Sequence, residues 1–207
     1  MYTIILDPGG QYWKIVLCFC LVGIVQIFIG GTVAMILLYS IKTSFSDVHI
    51  TWCTFGYHFF SAEAILSLNY ANGWSSPIRL RHRRFAHVFL QMCALACAIT
   101  GSALITIDKG VSTSVHGMTG VVTTVLATAT FLSGPCALFG GRYLKIVHMS
   151  IGLPTFLLSS ICLCFGVLAS TFRNWAGDPV VFIILFLVVF YTSFITITCF
   201  AKCVMRL

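Results

Sequence analysis

The sequence predicts an all-α membrane protein, a six-transmembrane helix bundle, on three observations. Only 8% of its 207 residues are charged, against roughly 25% in a soluble domain. Its mean hydropathy is +1.01, so lipid must be its solvent. Five stretches, 15–41, 85–107, 110–141, 146–172 and 180–201, hold no Asp, Glu, Lys or Arg, and a sixth, about 48–70, is interrupted only by Glu63. Each exceeds the ~20 residues that cross a bilayer as a helix. Backbone groups in hydrocarbon must find partners within their own segment, so each stretch is expected to be helical.

The spans are expected at about 14–41, 47–71, 84–107, 115–139, 146–171 and 179–203, forming a single domain over 1–207. The N-terminal tail is too short for a cleaved signal peptide, so the first span is expected to be retained. Asp47 is placed to cap the second helix and Ser114 the fourth. "GDP" (Gly177 to Pro179) reads as a turn, an Asp cap and a proline at the first helical position. "NGWSSP" (Asn72 to Pro77) and "SGPCALFGG" (Ser133 to Gly141) read as breaker-rich ends, and Pro154 is expected to kink the fifth helix. No internal repeat is strong enough to claim.

Ten cysteines lie within or at the ends of the apolar spans, none in a CxxC pair, and read as small hydrophobic residues. The formal charge of +7 is topological once it is mapped. Nine of the twelve basic residues flank one side of the bundle: Lys14, Arg79, Arg81, Arg83, Arg84, Arg142, Lys145, Lys202 and Arg206. Only Lys42, Lys109 and Arg173 face the other. The excess of Lys and Arg in cytosolic loops then puts both termini in the cytosol, and no nucleic-acid partner is implied.

Four histidines open four consecutive helices: His49, His87, His116 and His148. Their separations of 38, 29 and 32 residues each equal about one crossing plus a loop. Because successive helices alternate in direction, His49 and His116 fall near the outer surface, and His87 and His148 near the cytosolic one. Polar residues at membrane depth are costly and usually functional. Two imidazoles facing each other across a bundle can hold a haem iron through both axial positions. Two such pairs make a four-helix di-haem core of helices two to five and a two-step electron path. Gly120 and Gly152 each follow a histidine by four residues, on the same face, where a missing side chain would let a flat macrocycle approach. Small-residue helix packing uses the same spacing.

The remaining polar residues are read separately. His58 lies nine residues after His49, on the opposite helix face, and is not expected to share its haem. His82 sits in a basic loop. Glu63 lies fourteen residues beyond His49, about 21 Å deeper. It reads either as an arginine partner or proton relay near the cytosolic haem, or as a structural polar anchor.

These features together resemble the cytochrome b561 family of transmembrane ascorbate-dependent di-haem oxidoreductases. The resemblance is carried by "HITWCTFGYHFFSAEA", "RRFAHVFLQMCALACAITG", "VHGMTG" and "RYLKIVHMSIG", and it covers roughly 47–170. With no attached domain, the chain is most similar to the family's stand-alone branch. The resemblance implies two haem b groups. His49 and His116 would hold the non-cytosolic haem iron, and His87 and His148 the cytosolic one. It implies cytosolic ascorbate as donor and monodehydroascorbate or a ferric chelate as acceptor, a ferric reductase or monodehydroascorbate reductase activity. No side chain is implied as a catalytic residue. Arg81, Arg83, Arg84, Arg142 and Lys145 are the candidates for docking ascorbate. Where some relatives carry a second histidine just before the helix-three ligand, this chain has Arg83. An endomembrane or plasma membrane location and a homodimer are both compatible with the resemblance. Two other readings stand beside it: a di-haem anchor subunit exchanging electrons with membrane quinol, and a haem-free transporter of metal ions or protons.

Overall fold

The computed structural model describes residues 11–42 and 48–204. Asp47 and Arg206 lie outside the described residues, so the expected Asp47 cap is not among the features below. The described chain is helical, in the order α1 (Gln11–Lys42), α2 (Val48–Thr54), a π-helical segment (Phe55–Ser61), α3 (Ala62–Ser67), α4 (Leu80–Lys109), α5 (Val115–Phe139), α6 (Arg142–Val167), α7 (Ser170–Ala176) and α8 (Asp178–Val204). Five of these helices, α1, α4, α5, α6 and α8, are long and apolar enough to cross a membrane. The sixth apolar segment folds as one helical run over 48–67, interrupted by the π segment. Large apolar side chains cover the outside, among them Phe85 (75% exposed) and Phe139 (86% exposed), as a lipid-solvated surface requires.

The second helix ends at Ser67, four residues short of the expected boundary. Asn69 is the reason. Its amide N–H turns back to the Leu66 carbonyl at 2.7 Å, and its side-chain oxygen takes the Ala71 N–H at 3.2 Å, an alternative to continuing the helix. The connection that follows is packed on one side: Asn69, Ala71, Asn72 and Ser75 are buried, while Tyr70 and Trp74 are exposed. Gln26 Nε2 donates to Asn72 Oδ1 at 3.1 Å and Asn72 Nδ2 to Ser75 Oγ at 3.1 Å. Glu63 closes this network by accepting the Trp74 indole N–H at 2.7 Å. Among the described residues Glu63 makes no ion pair, so its observed role is the anchor and not the arginine partner.

Two further boundaries differ from expectation. α4 and α6 each begin four residues early, at Leu80 and Arg142, so the basic residues belong to helical first turns and not to loops. Ser133 to Pro135 lie inside α5, which runs on to Phe139, and α6 is continuous through Pro154. Ser114 caps α5 as expected, its hydroxyl accepting the Gly117 N–H at 3.1 Å. Asp178 begins α8, and its carboxylate is taken by Arg173, with Arg173 Nη2 donating to Oδ2 at 3.0 Å.

α4 crosses the second helix at close range, then packs on α5, which packs along α6. α1 and α8 close the other side, where Val25, Ile29, Val181, Ile184, Val188 and Tyr191 share one buried cluster. The close crossing depends on two glycines. A Cβ on Gly56 would lie 2.8 Å from the Ala94 carbonyl oxygen, and one on Gly101 would lie 2.7 Å from Cys53 Sγ. The π segment widens one turn here, and consecutive side chains reach different neighbours. The Tyr57 hydroxyl lies 3.1 Å from Thr124 Oγ1 on α5, while His58 Nδ1 lies 2.7 Å from the Tyr191 hydroxyl on α8. Gly56→Ala is expected to destabilise the protein by about 1–3 kcal/mol through overpacking against backbone. Gly30→Ala, with nothing within 4 Å of the added carbon, is expected to be nearly neutral. Thermal unfolding in detergent compares the two.

Candidate functional site

α5 and α6 lie antiparallel in one register. Four close approaches define it, each measured from a Cβ built on glycine. Gly166 faces His116 Cε1 at 3.1 Å, Gly120 faces Cys162 Sγ at 3.6 Å, Gly152 faces Thr130 Cγ2 at 3.1 Å, and Gly134 faces His148 Cε1 at 4.0 Å. Each step forward along α5 matches an equal step back along α6. The two segments "VHGMTG" (Val115–Gly120) and "VHMSIG" (Val147–Gly152), 32 residues apart, therefore lie at opposite ends of the hairpin, the first against 162–167 and the second against 130–135. Gly120 and Gly152 face side chains of the neighbouring helix, which is the packing alternative for these positions. The glycines that seat the imidazoles are Gly166 and Gly134, which the sequence reading did not single out. No sequence signal marks them: they lie 50 and 14 residues from their histidines, distances that only the hairpin register explains.

His87 and His148 come together. Their ring centres are 6.5 Å apart, with the planes at 81°. A metal–imidazole bond of about 2 Å on each side, plus about 1 Å from nitrogen to ring centre, requires about 6 Å. The outward nitrogen of each ring is tied. His87 Nδ1 lies 2.8 Å from the Ala64 carbonyl oxygen, and His148 Nδ1 lies 2.8 Å from Ser133 Oγ. A carbonyl only accepts, so His87 donates through Nδ1–H and keeps the lone pair on Nε2. These rings therefore fit the axial positions of a haem iron. His116 is tied in the same manner, its Nδ1 at 3.0 Å from the Cys162 carbonyl oxygen. His49 sits half-buried in α2, its own carbonyl oxygen 3.0 Å from a Cβ built on Gly101. Along α5, His116 and the Ser133 level are seventeen residues apart, or about 25 Å. The two levels thus sit near opposite edges of a hydrocarbon layer about 30 Å thick. His58 is buried against α8, away from both levels, as its helix face implied.

The basic residues gather at the level of His87 and His148. Arg81 and Arg84 are exposed in the first turns of α4, and Arg142 and Lys145 in those of α6. Arg83 lies one turn before His87. Its Nη1 donates to the Asn69 carbonyl at 3.4 Å, and its Nε is buried without a partner. Cations at a helix N-terminus oppose the macrodipole, so both helix ends and their side chains favour an anion. Among the described residues no group of three or more His, Cys, Asp or Glu is arranged to hold a metal ion by itself. The described cysteines are all unpaired.

A family model described as eukaryotic cytochrome b561 matches residues 48–174. Comparison with curated proteins gives no match. Gly166→Leu is expected to unseat the His116 ring and lower bound haem towards one per chain. Gly134→Ala, an ordinary contact at 4.0 Å, is expected to leave haem content unchanged. The ratio of haem to protein absorbance measures both.

Proposed function

The chain belongs to the eukaryotic cytochrome b561 family, and from that premise we propose that it carries electrons from cytosolic ascorbate through two haems to a non-cytosolic acceptor. Membership itself makes the protein an integral membrane oxidoreductase that transfers electrons across the bilayer with b-type haem. The finer reading assigns His87 and His148 to the cytosolic haem and His49 and His116 to the other. It places the termini in the cytosol and takes monodehydroascorbate or a ferric chelate as acceptor. The observation that carries it is the His87–His148 pair, 6.5 Å between ring centres and both Nδ1 atoms tethered.

When bound, haem supplies a one-electron couple at each level. The chain's own residues supply position and field. The tethers on Nδ1 of His87, His116 and His148 leave Nε2 as the ligating atom, so the ligand geometry of these three is set before binding. Arg83 offers its buried Nε, and Arg81, Arg84, Arg142 and Lys145 surround it with positive charge. Such a rim attracts an anionic enediol and holds it by charge-assisted hydrogen bonds. The donor gives up one electron and releases one proton to water at this exposed rim.

The purified protein is expected to show a b-type spectrum with about two haems per chain, reduced by ascorbate. Haem that ascorbate leaves oxidised and quinol reduces would count against the donor. His87→Ala is expected to lose one haem and keep the other. Arg83→Ala is expected to raise the ascorbate concentration for half-maximal reduction by about tenfold, the loss of one charge-assisted hydrogen bond. Stopped-flow reduction at varied ascorbate measures it.

A further inference from the structure

We propose that Ser133 is a positioning residue that sets the reduction potential of the haem held by His148, lowering it through a hydrogen bond to the imidazole. The inference rests on the assignment of His148 as an axial ligand.

The direction of the bond follows from the hydroxyl's single hydrogen. Ser133 Oγ lies 2.7 Å from the Thr130 carbonyl oxygen and 2.8 Å from His148 Nδ1. The carbonyl can only accept, so the hydroxyl hydrogen goes to Thr130, and Ser133 Oγ accepts from His148 Nδ1–H. The tautomer with its lone pair on Nε2 is held by this side chain together with the Thr130 carbonyl. The two other tethers that the structure shows, on His87 and His116, end on main-chain carbonyls of Ala64 and Cys162. The two histidines of the α5–α6 hairpin are therefore unlike in this respect: only His148 has a side-chain hydroxyl on its Nδ1. Ser133 is in place because α5 continues helically through Gly134 and Pro135, and Gly134 leaves the ring room to lie against the helix.

An imidazole that donates a hydrogen bond from Nδ1 is a more basic ligand through Nε2. A more basic ligand favours ferric iron, which carries one more positive charge than ferrous, and so lowers the potential. Without the hydroxyl the N–H keeps only the Thr130 carbonyl, the ring is a weaker donor, and the ferrous state gains. The remaining tethers end on backbone, so this is the one of the three that a substitution can remove without moving a helix.

The test is a spectroelectrochemical titration of the full haem-loaded chain in detergent, with wild type, Ser133→Ala, Ser133→Thr and His148→Ala. Wild type is expected to titrate in two one-electron steps. Ser133→Ala is expected to move one step upward and leave the other, raising the ferrous-to-ferric ratio at fixed potential by about fivefold, the worth of one hydrogen bond. Ser133→Thr keeps the hydroxyl and is expected to titrate as wild type. Two unmoved steps in Ser133→Ala at full haem content, or both steps moving alike, would overturn the proposal. If Ser133→Ala does not fold, Ser133→Cys, a weaker acceptor of similar size, must show a smaller upward shift, and an unshifted Ser133→Cys overturns it. His148→Ala separates the two levels of inference. Retention of both haems there sinks the ligand assignment itself. Loss of one haem there, with Ser133→Ala silent, sinks only the role of Ser133.

Discussion

The antiparallel register of α5 against α6 is the constraint from which the rest of the site follows. It seats His116 on Gly166 and His148 on Gly134, and it brings each ring's Nδ1 to an acceptor on the opposite helix. A slip of one residue would turn every one of these side chains by about 100° around its helix and break all four approaches together. Glycine at 166 is needed for space and not for backbone freedom, because a Cβ there would press on the imidazole at 3.1 Å. One hairpin thus sets the depth, the tautomer and the separation of two imidazoles. The partners come from α2 and α4, which are locked to each other by their own close crossing at Gly56 and Gly101.

Lipid as solvent explains the division of labour among the helices. The outside is covered by exposed apolar rings that would aggregate in water, and several polar groups are turned inward and paired there. Tyr57 bonds towards Thr124, His58 towards Tyr191, and Ser160 lies 2.8 Å from Thr192 Oγ1. On the π turn the adjacent Tyr57 and His58 serve two different helices. At the His87 end the order is different. There the connection over 68–79 is packed on one side, anchored by Glu63 and Asn72, and Arg83 leans on its backbone. The helix that carries His87 is thereby braced from its first turn, beside the face on which an anionic donor would dock.

Much of this was legible in the residues. Charge-free length alone specified the spans, because hydrocarbon leaves a backbone few alternatives to helix. Alternation of helix direction then paired His87 with His148, and the structure brings those two rings together. What was not legible depended on local competition or on partners distant in sequence. Asn69 ended the second helix early by offering its own side chain to the backbone. The first turns of α4 and α6 took in basic residues that composition had assigned to loops. The span expected over 115–139 is the helix observed, Val115–Phe139, which tolerates Pro135 because a proline removes only one N–H. Gly134 and Gly166 meant nothing until the hairpin register placed them under imidazoles. The π segment carried no periodic signal at all, since one widened turn does not change an apolar pattern.

A cryo-EM map of the haem-loaded protein tests the central claim most directly. Density from the Nε2 atoms of His87 and His148 is expected to meet at one iron, with His116 still seated on Gly166 at the other level. An iron bound through His58, or a His148 ring swung off α5 towards the acyl chains, would contradict it.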